Sequence, residues 1–182
     1  MNARKVARLP DPDPSSTPAE AAAFLATLPP DTMVRMLAHS PSTVESFVEF
    51  ARILFTGLEL PDRDRELAVL TTAVAAECDF VFAQHLPISA AAGVSEAIRQ
   101  QIAERRFASP VLAARDGAVI GFAAHVALHA EMPDAVFQSA RAFLSAREIV
   151  ELLHVCGYYL AFCRINTVLR VPLTRVYGAA SG

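Results

Sequence analysis

DRELAVLTTAVAAECDFVFAQHLPISAAAGVSEAI, running from Asp64 to Ile98, is the stretch that decides the fold. After the Pro61-Asp62 start, Leu67, Leu70, Thr71 and Val74 recur at helical spacing, which predicts a helix from Asp64 to about Ala76. Glu77-Cys78-Asp79 interrupts it, and a second helix runs to Ala92, where Gly93 supplies the C′ residue. Ser95 then caps a short helix to about Arg105. Two apolar helices joined by so short a break must fold back on each other.

The same signals extend outward from this hairpin. Upstream, Thr17-Pro18-Ala19-Glu20 reads as a capping box, and its helix is stopped by Pro29-Pro30. A short helix follows Asp31, and Ser42-Thr43-Val44-Glu45 reads as a second box opening a helix to about Phe55. Downstream, Ser109-Pro110 predicts a helix to about Ala130, weakened in its middle by Gly117 and Gly121. Pro133-Asp134 starts a short one, and Ser145-Ala146-Arg147-Glu148 heads a long apolar helix to about Leu169, before Pro172. No period-two alternation bounded by turn residues occurs, so strands are not expected. The expected architecture is all-α, an antiparallel bundle of about eight helices with no sheet. Pro10, Pro12 and Pro14 alternate with Asp11 and Asp13, so residues 1–14 read as an extended arm, either disordered or wrapped on a neighbouring subunit. Residues 15–182 read as one helical domain. Arg65-Glu66 and Arg147-Glu148 head two apolar helices alike, through duplication of a helical unit or through shared capping chemistry.

Composition agrees with this reading. The chain has 182 residues, 53% hydrophobic and 19% charged, with a mean hydropathy of +0.34, which excludes disorder for its bulk. Seven glycines against roughly one alanine in five favour helix. A net charge of −3 lacks the basic excess a nucleic-acid binder needs to neutralise phosphates. No glycine-rich phosphate loop exists, so no nucleotide cofactor is expected. Cys78, Cys156 and Cys163 are too few for a disulfide scaffold and suit a reducing cytosol. The start, MNARKVARLPDPDP, has no apolar run behind its basic residues, so no secretory signal is expected. The richest apolar run, Ala118–Ala130, is too short for a membrane span. A soluble cytoplasmic protein is the expectation.

Chemistry concentrates around Cys78. On a helix, Cys78 and His85 stand two turns apart and share a face, with Val81 and Phe82 between them. At a helix start, Cys78 would meet unpaired N–H groups that favour a thiolate. Glu66, on the preceding antiparallel helix, lies at a separation that lets its carboxylate return toward them. A carboxylate, a thiol and an imidazole converging in an apolar bundle make a proton-handling site, walled by Phe80, Val81 and Phe82. Each also has a plainer reading: Cys78 as a small core residue, His85 as a hydrogen-bonded structural residue, and Glu66 as first-turn helix chemistry.

The segment Asp64–Ile98 resembles the carboxymuconolactone decarboxylase / alkylhydroperoxidase D-like (AhpD-like) superfamily. The hallmark there is a Glu, then Cys-x-x-Cys-x-x-x-His, then Ala-rich residues and a Gly-Leu-Ser-Glu-like turn. Glu66, Cys78 and His85 match the Glu, first Cys and His, and Ala91-Ala92-Gly93-Val94-Ser95-Glu96 matches the turn. REIVELLHVCGYYLAFCRINTVLRVPL, Arg147–Leu173, resembles the tail of longer single-domain members, so the likeness covers most of residues 33–173. Val81 stands where the second cysteine belongs, so the intrahelical disulfide of peroxidase-type members cannot form. Cys156 and Cys163 are remote in sequence from Cys78, and a resolving role for either would need a contact made by the fold.

The resemblance to decarboxylase-type members implies cofactor-free acid–base chemistry on a small carbonyl or lactone-like substrate: a decarboxylase, isomerase or hydrolase. His85 would then shuttle the proton, Glu66 would orient it or act as base, and Cys78 would line the pocket or act as weak acid or nucleophile. The alternatives are a thiol-dependent peroxidase-like antioxidant, with Cys78 oxidised to a sulfenate and resolved by an external thiol, and a non-catalytic oligomeric binding protein. The resemblance also implies a homo-oligomer (dimer, trimer or hexamer), which the high apolar content supports. His125 and His129, four apart with Glu131 beyond, have metal-ligand spacing but no completing group, so no metal is expected and surface or interface roles are. His154 and Cys156 with Tyr158-Tyr159 read as packing with polar tips, near enough to approach the pocket. Arg99–Arg106 reads as a solvated charged face.

Overall fold

A computed structural model describes residues 6–173 of the chain. Among the described residues it is all-helical, with no strand. A single 3-10 turn, Pro14–Ser16, precedes α1 (Ala19–Ala26), α2 (Thr32–Leu37) and α3 (Pro41–Thr56). Then come α4 (Asp62–Ala75), α5 (Asp79–Ala91), α6 (Glu96–Ala103), α7 (Ala114–Leu128), α8 (Asp134–Arg141) and α9 (Ala146–Leu169).

Local chemistry explains most of these boundaries. Asp31 Oδ1 accepts from the Met33 and Val34 N–H groups at 2.6 and 3.3 Å, capping α2. The Ser145 hydroxyl accepts from Glu148 N–H while Glu148 Oε2 accepts from Ser145 N–H, so α9 has the expected capping box. α4 closes with Glu77 in the left-handed region (φ 58°) and the Cys78 N–H on Ala73 O at 2.9 Å. Gly93 (φ 86°) closes α5 in the same way, with the Val94 N–H on Ser89 O.

Three expected helix starts move. Pro18 and Ser40, neither making a side-chain cap bond, take the N-cap positions expected of Thr17 and Ser42. Pro41 opens α3 because a proline at the first helical position has no N–H to satisfy. The helix expected from Ser109 begins only at Ala114: Leu112 N–H turns back onto Ser109 O, and Asp116 in the first turn of α7 is clamped by Arg63 of α4.

α4 is the hub, buried along almost its whole length and packed between α5, α7 and α9. A helix buried on every side needs no polar face, yet α4 carries Asp64, Arg65 and Glu66 inside. Asp64 Oδ2 takes Arg115 from α7 at 2.6 and 2.9 Å, which ties the two helices together. α9 is long and apolar enough to cross a membrane by length and composition. In this fold it lies against α4, α7 and α3, with Glu151 and Asn166 buried.

The described part of the arm, from residue 6, docks on its own chain. Arg8 N–H donates to Leu169 O at 2.8 Å, its guanidinium donates to Val168 O at 3.0 Å, and Pro10 O meets His39 Nε2 at 2.9 Å. Residues 1–5 of the expected arm lie outside the described residues. The similarity of the two Arg-Glu helix starts ends at the sequence: Glu148 closes a cap, whereas Glu66 is wholly buried.

Candidate active site

Two adjacent residues of α4 begin the site. Arg65 and Glu66 are both buried, with the Arg65 Nε donating to Glu66 Oε1 at 3.1 Å. The same guanidinium donates to Asp62 Oδ1 at 2.5 Å and lies over the Phe55 ring, 4.4 Å from its centroid. The other Glu66 oxygen, Oε2, stands 2.8 Å from His85 Nδ1 on α5. Arg65 supplies the counter-charge that lets Glu66 act as acceptor for both neighbours, so His85 donates from Nδ1 and keeps Nε2 as its acceptor. The edge of Tyr159 from α9 meets the His85 ring at 5.0 Å between centroids, 88° apart, which fixes the imidazole plane.

His85 lines a cavity of about 420 Å³ between α2, α3, α5 and α9. Phe80 and Val81 from α5, Phe55 from α3, and Tyr158, Tyr159 and Phe162 from α9 give it apolar walls. Asp31, Glu49, Arg52 and Gln84 bring the carboxyl, guanidinium and amide groups on its lining. Burial pushes the Asp31 carboxyl above its usual range against the opposing pull of the Met33 and Val34 N–H groups. Gln84 Nε2 donates to Asp31 Oδ2 at 3.4 Å.

Of the residues singled out in the sequence, Glu66 and His85 are in direct contact, and Phe80 and Val81 line the cavity. Phe82 is not on the lining. One residue beyond Val81 the helix has turned about 100°, and the Phe82 ring packs against the core instead.

Cys78 is also off the lining. Its backbone (φ −106°, ψ 87°) is that of an N-cap, so helical spacing from His85 does not set its direction. Its Sγ lies 3.6 Å from Asn166 Oδ1 of α9. Cys163 lies one turn earlier on α9 and is buried in the same apolar core. The Cys163 thiol is the first cause holding Cys78 below the usual thiol range, with the Val81 and Phe80 N–H groups adding to it against burial. Cys163 itself is driven up by the same partner and by burial.

The remaining candidates lie elsewhere. The His125 and His129 rings stack at 4.4 Å, and His125 Nε2 meets Glu131 O at 2.8 Å beside a cavity of about 310 Å³. No group of three or more His, Cys, Asp or Glu side chains suited to a metal occurs among the described residues. Cys156 is fully buried, and burial pushes its thiol up to about 12. His154 is exposed, with the Phe50 ring edge-on at 5.9 Å. Asp31, Gln84 and Tyr159 on the cavity lining, and Arg65 against Glu66, are the site residues that sequence reasoning missed or left as packing. The one signal available was the Tyr158-Tyr159 pair on the last helix.

The Carboxymuconolactone decarboxylase family model matches residues 41–108. No curated protein matches the chain. A protein of unknown function from Agrobacterium tumefaciens, whose suggested role is AhpD antioxidant defence, is 25% identical with a TM-score of 0.69, over 76% of this chain and 95% of its own. The AhpD core of an uncharacterised peroxidase-related protein from Ralstonia eutropha superposes with a TM-score of 0.77 at 18% identity, over 94% of each chain. A cysteine-to-alanine variant of the debrominase Bmp8, in complex with 2,3,4-tribromopyrrole, does so at 0.72 and 12% identity, over 93% of this chain and 94% of its own. The family match spans the helices that carry Glu66, Cys78 and His85, and the helical order is that of these structures. Residues 41–108 thus match the carboxymuconolactone decarboxylase family, and the chain shares the helical fold of AhpD-like structures.

Proposed function

We propose that this protein is a cofactor-free acid–base enzyme acting on a small, partly apolar carbonyl or lactone-like substrate in the cavity beside His85. One observation carries this reading: His85, anchored through Nδ1 to a buried Glu66, lines an apolar cavity of about 420 Å³, and no thiol lines it. His85 Nε2 takes a proton from substrate carbon or oxygen and returns it after rearrangement. Glu66 holds the ring in that tautomer and balances the imidazolium when it forms. Arg65 and Tyr159 fix the pair in place. The apolar walls exclude water, so a charge developing on the substrate is felt strongly by the few polar groups present. The brominated pyrrole held by the debrominase variant supports a small, flat substrate for a cavity in this fold.

Solvent exchange tests the reading. In deuterated buffer, a panel of γ-lactones and β-keto acids is followed by proton NMR for loss of the hydrogen α to the carbonyl. At least one member is expected to exchange in the presence of the protein, and His85→Ala and Glu66→Gln are each expected to slow it about 100-fold or more. Exchange that survives His85→Ala at the same rate overturns the reading.

A homo-oligomer in the cytoplasm remains part of the proposal. Phe50 and Ile53 of α3, with Val150 and Leu153 of α9, are exposed apolar residues that a second subunit would cover.

A further inference from the structure

Asp31 is a buried carboxyl on the cavity lining that the acid–base reading leaves without a task. It caps α2 and is 7% exposed. Its two oxygens have unequal surroundings. Oδ1 accepts from the Met33 and Val34 N–H groups at 2.6 and 3.3 Å, whereas Oδ2 has the Gln84 amide at 3.4 Å, longer than the usual range. A buried carboxylate draws short bonds to both oxygens and a cation beside it. Arg35, the cation of α2, pairs with Asp11 at 3.9 Å and reaches Asp31 only through space. These surroundings suit a neutral acid, with a carbonyl oxygen holding the cap and a hydroxyl at Oδ2. Burial acts in the same direction, outweighing the two N–H groups. The other carboxyl on the lining, Glu49, is bonded to Arg52 at 2.7 Å in a solvent-exposed ion pair and has no such reason to hold a proton. Gln84, which contacts Asp31, immediately precedes His85 on α5, and all three residues line the cavity. An acid and a base thus border one apolar space.

We propose that Asp31 is a second catalytic group of this cavity, giving its Oδ2 proton to the carbonyl oxygen of the substrate while His85 takes the proton from the adjacent carbon. This rests on the acid–base reading and narrows it to enolisation. The substrate class is a ketone or lactone with a hydrogen on the carbon beside its carbonyl. His85 Nε2 removes that hydrogen as a proton, and the C–H electron pair becomes the C=C bond of an enol. The carbonyl π pair takes the Asp31 proton. Substrate, imidazole and carboxylic acid thus give enol, imidazolium and carboxylate, with no change in net charge. The enol returns its oxygen proton to Asp31, and the imidazolium delivers its proton to the same carbon or to a conjugated one. The outcome is hydrogen exchange or a double-bond shift, and no water or other reactant is consumed. Walls such as Phe55, Phe80 and Phe162 solvate a lone enolate poorly, so protonating its oxygen removes a charge the cavity would otherwise bury. The charges that do form are met: Glu66 balances the imidazolium, and the Met33 and Val34 N–H groups receive the carboxylate.

Two readouts separate this proposal from the reading beneath it. γ-Butyrolactone with carbon-13 at the carbonyl is titrated into the protein and followed by carbon NMR. The bound carbonyl is expected to move downfield, as a hydrogen bond from a carboxyl O–H requires. That shift is expected to persist in His85→Ala and to be lost in Asp31→Ala. Asp31→Asn keeps an acceptor for both cap bonds, so it guards against loss of the fold. Its amide donates more weakly and gives up no proton, so a smaller carbonyl shift is expected. Exchange of the hydrogen α to the carbonyl, followed with the lactone and keto-acid panel, is expected to slow about 100-fold in Asp31→Asn. An unshifted carbonyl in the parent chain, or an equal shift in Asp31→Ala, overturns the proposal. Exchange that depends on His85 but proceeds at the parent rate in Asp31→Asn overturns it and leaves the His85 reading standing. Exchange absent from the parent chain overturns both.

Discussion

His85 Nδ1 stands 2.8 Å from Glu66 Oε2, while the other oxygen of that carboxylate is held by Arg65 at 3.1 Å. The pair joins α4 to α5, and its His85 half lines the cavity. Glu66 is fully buried, so its removal leaves the buried Arg65 guanidinium with only the exposed Asp62 as its carboxylate partner and takes the Nδ1 partner from His85. Glu66→Ala is therefore expected to lower unfolding free energy by about 3–5 kcal/mol in urea titrations. A loss under about 1 kcal/mol would show that water reaches Arg65 freely.

Val81 faces the cavity at the position where a ring would fill it. A small aromatic probe such as indole is expected to raise the Tm of the parent chain, by about 1.4 kcal/mol of added stability at tenfold its Kd. In Val81→Phe that gain is expected to vanish while the fold is retained, as read by circular dichroism. An equal shift in both proteins would place the probe elsewhere.

Glu151 of α9 accepts from the Glu59 and Leu60 N–H groups at 2.9 and 2.7 Å and from Arg147 at 2.8 Å. Burial pushes its carboxyl up, but Arg147 and the two N–H groups outweigh that and hold it below the ordinary value. A carboxyl depressed in the folded state adds stability above its unfolded pKa, and that stability is lost as pH falls through the folded value. Glu151→Gln is expected to cost about 1–2 kcal/mol near neutral pH. The gap to the parent should close on acidification below about pH 4. Parallel denaturation curves at the two pH values check the sign.

The three thiols should separate by pH. Cys78 is held below the usual range, whereas burial pushes Cys156 up to about 12. Only the thiolate reacts, so native-state alkylation near pH 8 is expected to mark Cys78 first and leave Cys156 unmodified. Timed quenching with peptide mapping gives the order. Cys156 labelled ahead of Cys78 would contradict the surroundings described for both sulfurs.

Boundaries set by local chemistry were legible in the sequence. Asp31, Ser95 and Ser145 cap the helices they announce, because each cap closes within three residues. The misplaced starts arose where tertiary packing outweighed a local signal: α7 begins late because Arg63 on α4 clamps Asp116. Within the site, Glu66 and His85 lie on consecutive helices of one hairpin, so their spacing carried the contact. Cys163, Asn166 and Tyr159 come from α9, far along the chain, and no local pattern reports which face of α9 meets α5. The direction of the Cys78 side chain was not legible either, since an N-cap residue departs from helical geometry.

The bond from Arg8 N–H to Leu169 O sets the two ends of the described fold side by side. A short flexible bridge between those ends would close the polypeptide into a ring, which could be reopened in the turns between α6 and α7, remote from the cavity lining. Such a circularly permuted chain should keep every helix intact, and would move any fused reporter from the α9 end to the turns between α6 and α7.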